Sequence, residues 1–233
     1  DHRRGAGRDM IRPFGERALL VELDGSDAAQ LLDADLRREP PAGVVATVPG
    51  LASVLVELDP AVGSPVRVAS DLEARVASLA GADIGSSAPG RQRTIPVVYG
   101  GEHGPDLPEV AALTGLAEDE IIDRHAGLEL RVLFLGFAPG FAYLGDMPEE
   151  LRAPRLGSPR THTPAGSVGI AGSMTGIYPA ALPGGWRVLG RTPALLFDPR
   201  RDPPAYLGPG DSVRFEPIPA SAWDERAGAP DDW

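Results

Sequence analysis

Pro164-Ala-Gly-Ser-Val-Gly-Ile-Ala-Gly-Ser-Met-Thr-Gly-Ile-Tyr-Pro179 is the stretch on which the fold turns. Two short β-type runs, Ser167–Ala171 and Thr175–Tyr178, sit between glycine and proline turns spaced too closely for helices. The same texture extends in both directions. Gly136 to Thr192 holds 11 glycines and 7 prolines, far above average usage, with a third run at Trp186–Leu189 and a fourth just beyond it at Ala194–Phe197. Upstream, Arg93–Tyr99 and the apolar Leu130–Phe137 read as strands, with two short helices between them, Leu107–Thr114 and Glu118–His125. Downstream, Pro209-Gly-Asp211 turns into a last alternating strand, Ser212–Ile218. Many short strands joined by Gly/Pro turns predict a mainly-β barrel over residues 93–219.

Residues 10–83 read differently. Ile11 to Leu23 patterns as a hairpin turning near Gly15. Ser26 to Arg38 places Ala28, Leu31, Leu32 and Leu36 at helical spacing, with Ser26 or Asp27 as cap and Pro40-Pro41 as stop. Val44–Val48 and Ser53–Leu58 flank Pro49-Gly50 as a second strand pair, and Ser70–Leu79 is a short helix with Leu72, Val76 and Leu79 on one face. Strand pairs alternating with helices predict a small α+β domain. Ile84-Gly-Ser-Ser-Ala-Pro-Gly90 has linker composition, and the boundary is placed at 84–92. Residues 1–9 read as a disordered tail, and 220–233 as a polar tail with a short helix around Trp223.

Composition removes whole classes of chemistry. The 233 residues contain no Cys, no Lys and no Asn, and all 22 basic residues are Arg. Without Cys there are no disulfides, thiol nucleophiles or cysteine-held metals; without Lys there is no Schiff base, P-loop lysine or Ser-Ser-Lys amidase apparatus. A net charge of −11 disfavours nucleic acid, and no apolar run approaches the ~18 residues that span a bilayer. The N-terminal stretch lacks an apolar signal core, so a soluble, cytoplasmic protein is expected.

Against that acidic background, Leu151 to Pro193 carries Arg152, Arg155, Arg160, Arg187 and Arg191, one histidine, His162, and not one Asp or Glu. Such a segment focuses an anion into a cleft, and arginine forks suit carboxylate or phosphate. The competing reading is that these arginines pair with acids elsewhere in the chain or in a partner. The glycines of 164–172 likewise suit either an anion nest or tight barrel turns. His125 ends a helix, where it serves as a dipole partner or as a general base. His103 and His162 are similar candidates, no His pair has zinc spacing, and no metal site is expected. Gly166-Ser-Val-Gly169 lacks the Gly-x-Ser-x-Gly of a nucleophile elbow.

Tyr99-Gly-Gly-Glu-His-Gly-Pro-Asp106, Gly136-Phe-Ala-Pro-Gly-Phe-Ala-Tyr-Leu-Gly145, Pro164–Gly172, Thr175–Pro179 and Pro183-Gly-Gly-Trp186 with Gly190-Arg-Thr-Pro193 closely resemble the B-type subunit of 5-oxoprolinase. This family is also called KipI-like, or allophanate hydrolase subunit 1, and is carboxyltransferase subdomain C/D-like; with its C-type partner chain it resembles the carboxyltransferase part of urea carboxylase. The match extends through Ile11 to Leu19. The resemblance implies a cyclophilin-like barrel after a small α+β domain. It also implies two partners, a C-type subunit (KipA-like, allophanate hydrolase subunit 2) and an A-type subunit, in an ATP-dependent enzyme that opens 5-oxoproline to glutamate. ATP would be a co-substrate, with Mg at the shared site and no tightly bound cofactor, and this chain would be inactive alone. On that reading His125 and Tyr178 are the catalytic candidates, while Arg155, Arg160 and Arg191 hold anionic groups and Ser167 and Thr175 supply hydrogen bonds. The alternative the resemblance allows is a KipI-like binding protein that inhibits a sensor histidine kinase.

Overall fold

The computed structural model describes residues 10–79, 90–231 and 233. The chain divides into two compact units, Asp1–Ala88 and Pro89–Trp233. The tail read at 1–9 and most of the linker read at 84–92 lie outside the described residues.

In the first unit, β1 (Ile11–Pro13), β2 (Ala18–Glu22), β3 (Val44–Pro49) and β4 (Ser53–Leu58) form one antiparallel sheet in the order β1-β2-β4-β3. The hairpin turns where Gly15 adopts φ 68°. Alternation along the strands buries Leu19 and Val21 on β2 and Val54, Val56 and Leu58 on β4, the period of two that a half-buried sheet requires. Onto this face pack α1 (Ser26–Arg38), through Ala29, Leu32 and Leu36, and α2 (Pro65–Leu79), through Val68 and Leu72. Two local readings are corrected. The N-cap of α1 is Gly25, one residue before the nearer of the two caps read at Ser26 and Asp27. α2 begins five residues before Ser70, because Pro65 is pre-set for the first helical turn and Val68 extends the buried stripe by one turn.

The second unit contains β5 (Gln92–Tyr99), α3 (Leu107–Thr114), α4 (Glu118–Gly127), β6 (Leu130–Leu135), β7 (Ala142–Gly145), β8 (Arg160–Thr163), β9 (Ser167–Ala171), β10 (Met174–Ile177), β11 (Leu182–Gly184), β12 (Arg187–Arg191) and β13 (Ser212–Pro217). Seven strands close into a barrel in the order β10-β7-β6-β13-β5-β12-β9, and β8 and β11 form a separate ribbon. Barrel neighbours are antiparallel except β5 and β13, which run parallel in register from Gln92–Ser212 to Val97–Pro217. Ile95, Val97, Leu130, Val132, Ala142, Leu144, Val168, Ile177, Val213 and Phe215 fill the interior. A second cluster packs α3 and α4, through Leu107, Val110 and Ile121, against Ile170 and Leu189 of the barrel strands.

Strand glycines serve close approach here. The Trp186 side chain lies over Gly169, and the Phe141 ring lies over Gly176. Ala194–Phe197 is not a strand: Ala194 and Phe197 make only isolated bridges, to Gly228 and Ala205. The segment read as a polar tail makes two short 3-10 turns, Ala220–Ala222 and Asp224–Arg226. Between them Trp223 stacks on His103 at 4.8 Å.

Candidate functional site

Turn chemistry at the ends of β7, β10 and β12 brings aromatic side chains together on one patch of the second unit. Phe141 precedes β7, Tyr143 lies on it, Tyr178 follows β10 and Trp186 precedes β12. Their rings meet at angles: Phe141 to Tyr178 at 5.2 Å, Phe141 to Trp186 at 5.6 Å and Tyr143 to Trp186 at 5.6 Å. Edge-to-face pairs of this kind add about 0.5–1.5 kcal/mol each beyond burial. Phe134 stacks on Tyr143 at 4.2 Å, and Phe137 touches Phe141 and Tyr178 edge-on.

Arginines gather at this aromatic patch. The Arg155 guanidinium lies 5.9 Å from the Trp186 ring. Arg160, on β8, pairs with Gly184 across the ribbon, and Gly184 abuts the Tyr178 hydroxyl so closely that any Cβ there would overlap it. Burial pushes the Tyr178 hydroxyl pKa up; a hydrogen bond from the Trp186 backbone N–H and the charges of Arg155 and Arg160 act in the opposite direction. Tyr143 is raised by burial too, again opposed by Arg155. Tyr178 therefore stays protonated at neutral pH. Its oxygen accepts from Trp186, so its proton is available to donate.

Arg160 is held from behind. Its Nη2 donates to Asp106 Oδ1 at 2.5 Å, and Asp106 Oδ2 accepts from the Val188 N–H at 2.7 Å. Asp106 is 5% exposed and sits at the N-cap of α3. The second amino group of Arg160, Nη1, is buried without a hydrogen-bond partner, and so is Thr163 Oγ1 on the same strand. Buried polar groups are rarely left this way in a native fold.

The five arginines thus divide. Arg160 pairs with Asp106, and Arg187 pairs with Glu109 at 2.5 Å, so for these two the charge does find an acid elsewhere in the chain. Arg155, Arg191 and Arg152 make no ion pair among the described residues. Arg191 lies apart from Arg155 in its contacts: its Nε donates to the Ala165 carbonyl at 2.7 Å, and its guanidinium stacks 5.1 Å from Trp223. Ser167 is buried opposite Arg191 in the β9–β12 ladder, and its carbonyl accepts from the Tyr178 N–H at 2.9 Å. His162 is exposed on β8.

His125 and Thr175 form a different cluster. α4 delivers the imidazole against β5, β10 and β13, where it is 0% exposed and stacks on Phe215 at 4.7 Å. Thr175 Oγ1 donates to the Gly169 carbonyl at 3.0 Å and accepts from His125 Nε2 at 3.0 Å, while Nδ1 accepts from the Tyr99 hydroxyl at 2.8 Å. One hydroxyl proton goes to Gly169, so the imidazole proton belongs on Nε2. Burial drives the His125 pKa down to about 3.

Sequence reading missed Asp106, Tyr143 and Trp186 as members of the site. All three stood inside the quoted glycine-rich motifs, which was the available signal. Among the described residues no three His, Asp or Glu side chains converge as a metal site, and no helix is long and apolar enough to cross a membrane.

The chain belongs to the carboxyltransferase domain family, subdomain C and D, which matches residues 10–207. It is 43% identical over 208 residues to the 5-oxoprolinase B subunit of Escherichia coli O157:H7, covering 88% of this chain and 94% of that one. It is likewise 43% identical over 225 residues to the 5-oxoprolinase B subunit of Bacillus subtilis strain 168, covering 89% and 92%. Among solved structures, the crystal structure of TTHA0988 superposes with a TM-score of 0.74 at 35% identity. That match covers 88% of this chain but only 40% of TTHA0988, so this chain spans less than half of that longer polypeptide.

Proposed function

We propose that this chain is the B-type subunit of an ATP-dependent 5-oxoprolinase, working with a C-type (KipA-like) subunit and with an A-type subunit to open 5-oxoproline to glutamate in the cytoplasm. The observation that carries the reading is the near end-to-end similarity to two curated 5-oxoprolinase B subunits. TTHA0988 lends support to a second polypeptide, because there the matching region is joined to further sequence. The barrel is assigned to the cyclophilin-like type, with no implication of prolyl isomerisation.

Ring opening breaks the lactam C–N bond, one water giving its hydroxyl to the carbonyl carbon and its hydrogen to the nitrogen. The terminal phosphoanhydride bond of ATP, the co-substrate, is broken, and a second water completes its conversion to ADP and phosphate. The chemistry asks for three things: a held carboxylate, a polarised lactam carbonyl and stabilised phosphate charge. Arg155 and Arg160 are assigned to anionic groups, and the Tyr178 hydroxyl, kept protonated by burial, to donating a hydrogen bond to the lactam oxygen. Arg191 and Ser167 are assigned to the adjoining edge of the barrel, where a partner chain and its Mg–ATP would meet it. His125 and Thr175 are assigned a supporting part. Thr175 stands three residues before Tyr178, and its bonds to His125 and Gly169 fix the strand whose end carries the tyrosine.

Reconstitution tests this reading. The purified chain alone should release no glutamate from 5-oxoproline. It should co-elute with the C-type subunit in size-exclusion chromatography with light scattering. Activity should appear once ATP is supplied together with the A-type subunit. Turnover by the isolated chain, or none by the full assembly, overturns the reading.

A further inference from the structure

Among the described residues, Phe137 is the one non-glycine with a left-handed backbone, at φ 66°. A bulky side chain in that region is strained, and surrounding structure must hold it there. Here a tight turn does so: Ala138 N–H donates to Gly136 at 2.7 Å, Phe141 N–H to Ala138 at 3.0 Å, and Gly136 N–H to Phe141 at 3.2 Å. Burial does not offset the strain, because Phe137 is 60% exposed. The fold therefore tolerates backbone strain while keeping a large apolar ring in solvent, edge-on to Phe141 at 5.4 Å and to Tyr178 at 6.3 Å.

The place it occupies is chemically specific. Tyr178 is buried beside it with its hydroxyl protonated, Arg155 is unpaired by any described carboxylate, and Arg160 has a buried amino group without a partner. Phe137 meets Tyr178 edge-on at 6.3 Å, and the charges of Arg155 and Arg160 act on that same tyrosine. An exposed flat apolar ring close to cations suits a ligand with an anionic group on a small flat body, and suits a bare inorganic anion poorly. We propose that Phe137 is a substrate-facing wall of the Tyr178–Arg155–Arg160 site, held in a strained backbone so that its ring packs against the face of a small cyclic carboxylate. This rests on the reading of the chain as part of a 5-oxoprolinase, and it adds the residue that selects for ring shape.

The test uses the reconstituted complex carrying Phe137→Gly or Phe137→Ala in this chain, with 5-oxoproline as the probe. Both variants should raise the KM for 5-oxoproline about tenfold, with kcat changed less than about twofold, as expected for loss of a wall that binds ground and transition states alike. Phe137→Gly should melt a few degrees above Phe137→Ala, because only glycine removes the strain. An unchanged KM in a complex whose wild type releases glutamate overturns the inference and leaves the functional reading standing. Equal melting of the two variants overturns the strain argument. Loss of co-elution with the C-type subunit overturns the substrate assignment in favour of a protein contact. A wild-type complex without glutamate release removes the functional reading itself, and the substrate role of Phe137 with it.

Discussion

His125 and Tyr178 are buried polar side chains of the same barrel unit, 0% and 1% exposed, yet their surroundings are opposite in kind. Around His125 every polar atom is used: Tyr99 donates to it, it donates to Thr175, and Thr175 donates to the Gly169 carbonyl. No charge lies in this chain of bonds, and burial keeps the imidazole neutral. Around Tyr178 the polar groups are not all used: Arg155 is free of any described acid, and an Arg160 amino group is left without a partner. A closed neutral network stabilises a core. An open cationic one is the expected form of a site awaiting an anion.

The largest effect should come from breaking the closed network. His125→Ala removes a fully buried ring, leaves the Tyr99 hydroxyl without its acceptor and takes the stacking partner from Phe215. The expected loss is about 3–5 kcal/mol of stability, read by denaturant unfolding. The wild type should also show this group in its acid sensitivity. The folded pKa is about 3 against an ordinary 6.5, so between those values the unfolded chain holds the extra proton. The stabilisation is complete above about pH 6.5 and falls by roughly 1.4 kcal/mol per pH unit as pH drops towards 3. His125→Ala should lack that slope. A variant as stable as wild type, with an unchanged acid profile, would break the contrast at its closed end.

How much of this contrast was legible in the chain depends on which atoms it needs. The barrel was legible because Ser167–Ala171 and Ser212–Pro217 are short runs bounded by turn residues, and local chemistry fixes them. β7 was not, since Ala142–Gly145 is four residues long and follows a Pro-Gly turn. β11 escapes a sequence reading because Pro183 argues against a strand. Ala194–Phe197 has strand composition but no continuous partner. The positive segment was plain as charge segregation. Its division was not, because Asp106 and Glu109 reach Arg160 and Arg187 from α3, far back in sequence. Burial of His125 had a weak local sign, since it follows Ile121 by four residues and so shares its apolar face.

A middle-sized effect should follow at Asp106, which acts on the site through Arg160 and is a positioning residue. Asp106→Asn keeps an acceptor for the Val188 N–H and removes the charge opposite Arg160. The pair is partly exposed on the arginine side, at 31% against 6%, so the cost should be about 1–3 kcal/mol rather than that of a fully buried pair. In the reconstituted complex the KM for 5-oxoproline should rise as Arg160 loses its placement. Combined with Arg160→Gln, the double variant should lose little beyond Arg160→Gln alone, the non-additivity expected when one residue works through another. Additive losses in KM would show that Asp106 is structural only.

The smallest effect on stability should accompany a large one on function, at Arg155. Its side chain is exposed, it makes no ion pair among the described residues, and its guanidinium faces the Trp186 ring at 5.9 Å. An exposed cation–π contact contributes about 0.5–1 kcal/mol, so Arg155→Gln should shift unfolding by no more than that. The electrostatics of Tyr178 should nevertheless change. Arg155 is one of the charges that oppose the burial-driven rise of the Tyr178 pKa, so its removal should move that titration further up, visible as a later phenolate absorbance rise on alkaline titration. If the arginine also holds the substrate carboxylate, the KM for 5-oxoproline should rise about tenfold or more, since a charge-assisted pair is lost. Arg155→Lys should then restore only part of it, because an ammonium cannot form the planar fork. A melting temperature lowered by many degrees with KM unchanged would mean that Arg155 belongs to the packing of Trp186, and the open end of the contrast would then rest on Arg160 and Tyr178 alone.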